Sequence, residues 1–222
     1  MLRNGLCLVV DLAVREVADP LSSRYRRALL LGSLREDVLF LPLVGRVTEY
    51  PSFSHFYAPG LPGGFLPFVW PGPRRAADRL YARALREARA GRRAAAFVLL
   101  GRVLHLIADM SIPSHTHRVA HDHDPFEWYI EGNAGELRRL PLPLVDPPRR
   151  AADLIESLAR ASARFAPDAT HHPLGRLLRR LGLRQPITAR VAAEQARALV
   201  PLAAGHAAAM LRLFLRDARA PS

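Results

Sequence analysis

Residues 105–115 read HLIADMSIPSH, and the placement of His105, Asp109 and His115 in that stretch governs how the rest of the chain is read. Val103, Leu104, Leu106 and Ile107 make the surroundings apolar. The four-residue spacing of His105 and Asp109 puts both side chains on one helix face, a turn apart. An ionised Asp in so apolar a stretch is costly unless it is paired or bound to metal. A lone pair of this kind is commonly a hydrogen-bonded His–Asp couple, and it is equally the spacing by which a helix offers two ligands to one ion. Pro113 ends the helix and turns the chain so that His115 can return to the same neighbourhood. His123 and Glu127 then repeat the four-residue spacing at the start of the next helix. Two such pairs bracketing a turn that carries a further His put the metal reading level with the hydrogen-bonded one. Imidazole and carboxylate without thiolate suit zinc better than iron or manganese. The single Cys7, read as a small core residue, excludes a cysteine-based zinc site and an internal disulfide.

Outward from this stretch the pattern is helical. Arg92 to about Met110 is predicted as a central helix, because Ala94 to Leu100 has little polar relief. Arg74 to Ala90 precedes it with apolar residues at helical spacing. Asp124-Pro125 opens another helix through Phe126, Trp128 and Tyr129, proline suiting a first turn. Leu6 to Val17 reads as a buried or half-buried helix ending before Pro20. A second helix runs through Tyr25 and Leu31, with Ser22 and Ser23 as candidate N-caps, and ends near Gly32. Between Val38 and Pro73 the prolines and glycines rule out a long helix, and a loop of that length is more often functional than accidental. Pro141 to Pro148 is a proline-rich connector. Arg149 to Phe165 and Ile187 to Arg216 read as amphipathic helices, separated by a short basic helix at Leu174 to Leu181. No strand pattern persists and there is no internal repeat. The expectation is an all-α, single-domain helical bundle over residues 1–222 with a long Pro/Gly-rich loop.

Composition bounds the function. Half the residues are apolar, too many for a disordered chain. No apolar stretch reads as the roughly 20 residues needed to span a bilayer, and Leu6 to Val10 is too short and too interrupted for a signal peptide. The default expectation is a cytoplasmic protein. The net charge of +12 comes entirely from Arg, since the chain has no Lys. That balance fits either a solvated Arg-rich surface or a surface that attracts phosphates of nucleic acid or anionic lipid.

The motifs carry a resemblance. The string from His105 to His115 resembles the His-x3-Asp-x3-Pro-x-His signature of the zinc-dependent phospholipase C and S1/P1 nuclease superfamily. Gly32-Ser-Leu-Arg-Glu-Asp37 resembles the family segment that ends in a zinc-binding Asp. Ser54-His55-Phe56-Tyr57-Ala58-Pro59 resembles its Ser-His-Phe-Tyr-Asp-Pro motif, and His123-Asp-Pro-Phe-Glu127 its downstream His-x3-Glu. The matches run in order over somewhat under half the chain.

The resemblance implies the family's helical fold and a zinc-dependent phosphoric diester hydrolase. One zinc would be held by Asp37, His55, His105 and Asp109, and another by His115, His123 and Glu127. A metal-activated water would attack the phosphodiester, and Asp37 would double as general base. The implied substrate is a phospholipid or related phosphodiester, with peripheral membrane contact and no obligate protein partner. Single-stranded nucleic acid, or metal binding without turnover, are the alternatives. The family is typically exported.

Two departures qualify this. The family's third zinc uses the mature N-terminal amine, commonly of a Trp, and a His on the first helix. Here no His precedes His55, and Gly5 or a neighbour stands where that His would fall, so a third ion is expected to be weak or absent unless a residue such as Asp11 substitutes. Val38 and Ser52 replace the aromatic residues of the choline-binding members, so a cation–π box for choline is not expected. His117 and His121 are by spacing spares. His171, His172 and His206 fall outside the motifs as surface or core residues, Trp70 and Trp128 read as packing residues, and Arg35 and Arg118 stand beside ligands as candidate phosphate clamps.

Overall fold

A computed structural model describes residues 1–36, 55–64, 71–119, 121, 124–168, 170, 173–182 and 186–220. Among them are ten helices and no strand. Asp37 and His123 lie outside the described residues, as do Val38, Ser52, Trp70, His171 and His172.

The apolar run forms the centre of the molecule from Ala96 onward, while Ala94 and Ala95 are exposed. Helix α5 (Arg93–Asp109) packs along α3 (Arg26–Arg35) and α4 (Pro73–Arg89), and its last seven residues are all buried. Burial on every side of those last two turns is what an apolar sequence without a polar stripe produces. Helix α10 (Ala189–Arg219) lies against α1 (Arg3–Val17) and α7 (Pro125–Leu137), and α8 (Ala151–Ser162) against α4. By length and composition α10 could cross a membrane, with a mean hydropathy of 1.6 over its most apolar window. Helix α10 thereby corrects the expectation that no apolar stretch is long enough to span a bilayer. Its window is 83% buried, which makes it a core helix here.

Two helix boundaries differ from expectation, each for a physical reason. Asp19, not Ser22 or Ser23, caps α2 (Pro20–Arg24) by accepting from the Leu21 amide. Helix α3 also runs past Gly32 instead of stopping there. A Cβ at Gly32 would sit 1.9 Å from the Val98 carbonyl oxygen, and one at Gly101 would sit 2.1 Å from that of Leu29. These glycines are there for close helix packing, and α3 and α5 touch backbone to backbone because neither carries a side chain at the crossing. That contact fixes the spacing on which the site depends. Trp128, read as a packing residue, is 56% exposed, and Cys7 is half-buried.

Candidate metal centre

The C-terminal turn of α5 delivers His105 and Asp109, both fully buried, to one end of the bundle. His105 Nδ1 donates to the Ser33 carbonyl oxygen at 2.8 Å across the tight α3–α5 contact. That bond fixes the ring and the tautomer and leaves Nε2 as the lone-pair nitrogen facing Asp109, the arrangement in which metal-binding histidines are usually held. Beyond α3, Glu36 is buried and accepts from Arg102 Nε at 2.5 Å, which ties the end of α3 to α5. Residues 113–116 (α6) then bring His115 back, as the proline break predicted. The Tyr57 amide donates to the His115 carbonyl oxygen at 3.1 Å, so the segment carrying His55 is stitched to the same turn.

Three imidazoles converge on one carboxylate oxygen. Asp109 Oδ2 lies 3.0 Å from His55 Nδ1, 3.1 Å from His105 Nε2 and 3.7 Å from His115 Nδ1. Yet Asp109 Oδ2 and His115 Nδ1 are both buried without a hydrogen bond. Buried polar atoms are nearly always satisfied, so a cluster of unsatisfied ones aimed at a single point calls for a missing partner. Ligand atoms of His55, His105 and Asp109 all fall within 4.8 Å of one another, as the first-zinc assignment requires of those three. Burial by itself would raise the Asp109 carboxyl. Facing His105, the Met1 amine and His115, it is instead held well below the usual carboxylate range. Desolvation outweighs the pull of Asp109 on His115 and keeps that imidazole neutral, the form that binds a metal. The donor set fits zinc, being nitrogen and oxygen ligands from buried, pre-oriented side chains.

The second group of residues sits alongside. Asp124 accepts from the Phe126 amide at 2.9 Å and from Ser114 Oγ at 2.5 Å, capping α7 and placing Glu127 in its first turn. His121, set aside by spacing, is the imidazole found beside Glu127. Its Nδ1 is 3.3 Å from Glu127 Oε2, its Nε2 is buried without a hydrogen bond, and its ring lies 5.1 Å from that of His115. Sequence spacing gave no sign of this, because the His-x3-Glu pattern points to His123. A cavity of about 280 Å³ is lined by Met1, Leu2, His55, Phe56, His115, His121 and Glu127. The phenyl ring of Phe56 leans on His115 at 4.8 Å between centroids.

The first-helix position behaves unexpectedly. A Cβ on Gly5 would lie 2.9 Å from the Met1 Cγ and Sδ atoms, so the room an imidazole would need there is taken by the Met1 side chain. The Met1 amine meanwhile lies 2.9 Å from Asp109 Oδ1 and 3.1 Å from Glu127 Oε1, bridging the two carboxylates. Asp11 does not substitute: it pairs with Arg26 at 2.6 Å and Arg138 at 3.5 Å. Nor is Arg118 a free clamp, since its Nη2 donates to the Pro62 carbonyl oxygen at 2.8 Å. His117 is exposed and turned back onto the Pro113 carbonyl oxygen, 3.0 Å from Nδ1. His206 is a core histidine between the Leu202 carbonyl oxygen and Ser157.

The all-α bundle is a fold shared with solved alpha-toxins. Two solved structures similar to it are alpha-toxins. The alpha-toxin from Clostridium absonum superposes over 100% of this chain with a TM-score of 0.68 at 15% identity, and this chain spans 67% of its length. The Clostridium perfringens alpha-toxin isolated from avian strain SWCP is covered to 61%, with 97% of this chain superposed, a TM-score of 0.54 and 14% identity. No family model and no curated protein sequence matches the chain.

Proposed function

We propose that the chain is a zinc-dependent phosphoric diester hydrolase of phospholipase C-like type. The observation that carries this reading is the convergence of His55, His105 and His115 on the unsatisfied Oδ2 of Asp109. The motif resemblance and the alpha-toxin fold support the choice of chemistry. One zinc would be held by His55, His105 and Asp109, with Asp37 as the ligand the motif adds. A second would be held by His115 and Glu127 with one further imidazole, His123 by motif or His121 by position. Zinc supplies a Lewis acid that acidifies water and neutralises phosphodiester oxygens. The chain's own residues keep the His115 imidazole neutral, fix the His105 tautomer through Ser33, keep the buried Asp109 carboxylate ionised, and leave one open cavity beside Glu127. Asp37 is assigned the general-base role on the resemblance. The proposed substrate is a phospholipid or related phosphodiester met at a membrane surface.

The test combines metal analysis with turnover. About two zinc ions per chain are expected, and their removal by a chelator should abolish hydrolysis of phospholipid or 4-nitrophenyl phosphodiesters, restored by added zinc. Single-stranded DNA belongs in the same screen. A protein that copurifies with less than about one transition metal per chain and takes up none on titration would end this reading.

A further inference from the structure

A second cavity, of about 550 Å³, lies next to the metal centre and plays no part in it. It opens between the segment of residues 55–64 and the first turns of α4. Its lining includes Arg74, Arg75, Arg79 and Arg150, with Asp78 as the one carboxylate among the lining residues. Two of these arginines are already engaged. Arg150 pairs with Asp78, and Arg74 lies 3.4 Å from Glu156 Oε2 while also reaching the Tyr57 hydroxyl. Arg75 and Arg79 have no ion-pair or hydrogen-bond partner among the described residues. They stand four apart on α4, so their guanidinium groups leave the helix on one side. Gly72 lines the space and caps α4 without a side-chain bond, which puts the positive dipole end of that helix at the cavity.

The cavity is built into the fold and tied to the metal centre. Residues 55–57 form the wall between the two spaces: His55 and Phe56 line the metal-site cavity and Tyr57 lines the arginine cavity. Arg118, three residues after His115, reaches across to the Pro62 and Gly63 carbonyl oxygens at 2.8 and 3.4 Å. A Cβ on Gly72 would meet the Gly63 carbonyl oxygen at 2.5 Å, so wall and helix start close directly on each other.

We propose that this cavity is a subsite for a second, dianionic phosphate group carried on the same molecule as the scissile diester, held by Arg75 and Arg79. Unpaired guanidinium forks beside a helix N-terminus match the geometry and charge of a phosphomonoester. They offer nothing to the cationic end of a zwitterionic headgroup. As a statement about substrate this rests on the hydrolase reading; as an anion site it does not.

The test has two arms. In the first, inorganic sulfate is titrated calorimetrically into the full-length chain, into Arg75→Ala/Arg79→Ala, and into Arg86→Ala/Arg89→Ala, which removes equal charge from α4 outside the cavity. Sulfate should bind the cavity variant at least tenfold more weakly than wild type, and the control variant within twofold of it. Equal affinity in all three, or equal loss in both variants, would overturn the subsite. In the second arm, kcat and KM are compared for phosphatidylinositol with and without a ring phosphate in micelles, and for a dinucleotide with and without a 5′-phosphate. One pair should show a second-phosphate preference of tenfold or more, expressed in KM, that disappears in Arg75→Ala/Arg79→Ala. Which pair shows it tells a headgroup from a nucleotide. Turnover with no such preference in either pair would overturn the assignment to substrate. Absence of all turnover would count against the hydrolase reading and leave the sulfate arm to decide the site.

Discussion

Replacing Asp109 by Asn changes almost no volume and removes one charge from the point where the site converges. The carboxylate is fully buried and has an amine at 2.9 Å and imidazole nitrogens at 3.0, 3.1 and 3.7 Å. Hydrogen bonds to charged groups contribute about 1.5–3 kcal/mol each, and removing one partner of a buried ionic cluster typically costs about 3–5 kcal/mol. An amide also has to point its NH2 at nitrogens that an ion would hold as lone-pair donors. At about 1.4 kcal/mol per tenfold, a loss of about 3 kcal/mol or more lowers zinc affinity by two orders of magnitude at least. Competition against a chromophoric zinc chelator measures this directly. A paired melt, with zinc and with chelator, separates metal binding from folding, because an ion bound only by the folded state stabilises it in proportion to the logarithm of one plus its free concentration over Kd. The zinc-dependent rise in Tm should largely vanish in Asp109→Asn while helical content is kept. Asp11→Asn, which breaks a surface pair with Arg26, should leave both readings within about 1 kcal/mol of wild type. An Asp109→Asn protein that is folded and holds zinc within threefold of wild type would refute the assignment of this carboxylate as a ligand.

Other outcomes follow from the same geometry. His121→Ala and His123→Ala, compared for zinc content and turnover, decide between position and motif; the stronger loss is expected for the imidazole that completes the Glu127 site, and His117→Ala should be mild because that ring is exposed. Gly101→Ala should cost about 2–3 kcal/mol in urea unfolding and loosen zinc as well, since the Cβ can be accommodated only by moving α3, and with it the Ser33 carbonyl, off His105. His206 is pushed below its ordinary pKa by burial, so the unfolded chain takes up a proton that the folded chain refuses. Its contribution is therefore complete above about pH 6.5 and is lost as pH falls toward the lowered value. His206→Gln should show a smaller drop in urea midpoint between neutral and mildly acid pH than wild type.

The helices were legible because most announce themselves by periodicity and by a proline or cap at the boundary: Asp124-Pro125 opens α7 as expected, α4 begins at Pro73, one residue before the pattern, and Pro113, read as ending a helix before a loop, also starts the short α6. Gly32 was misread because a glycine that ends a helix and one that lets two helices touch are the same letter. Only Val98, far away in sequence, distinguishes them. His105, Asp109 and His115 were legible as a set because helix geometry and one proline dictate their relative placement within eleven residues. His121 was not, because its place beside Glu127 and Phe56 is set by tertiary contacts that no short-range rule encodes. The Met1 amine escaped for a similar reason. The sequence shows that a first-helix His is missing, but not that the glycine in its place makes room for the Met1 side chain and so lets the amine reach Asp109 and Glu127.

These placements share one physical cause. Several ligands from separate segments must meet at the buried end of α5, so something must hold the groups in place before any ion arrives. The backbone contact between α3 and α5 does so for His105 through Ser33, the Tyr57–His115 bond does so for the His55 segment, and the Asp124 cap does so for Glu127. The first uses the one nitrogen of His105 that faces away from Asp109, and the other two involve no ligand side chain. Each is a hydrogen bond to backbone, insensitive to the ion's presence, so the site should keep its shape when zinc is stripped. It follows that chelation should lower Tm and abolish turnover without loss of helical circular dichroism below the melt, and that zinc should rebind quickly. Slow recovery of activity over minutes, or loss of helix on chelation alone, would mean that the ion organises the site and would contradict a scaffold set by α3, α5 and the Asp124 cap.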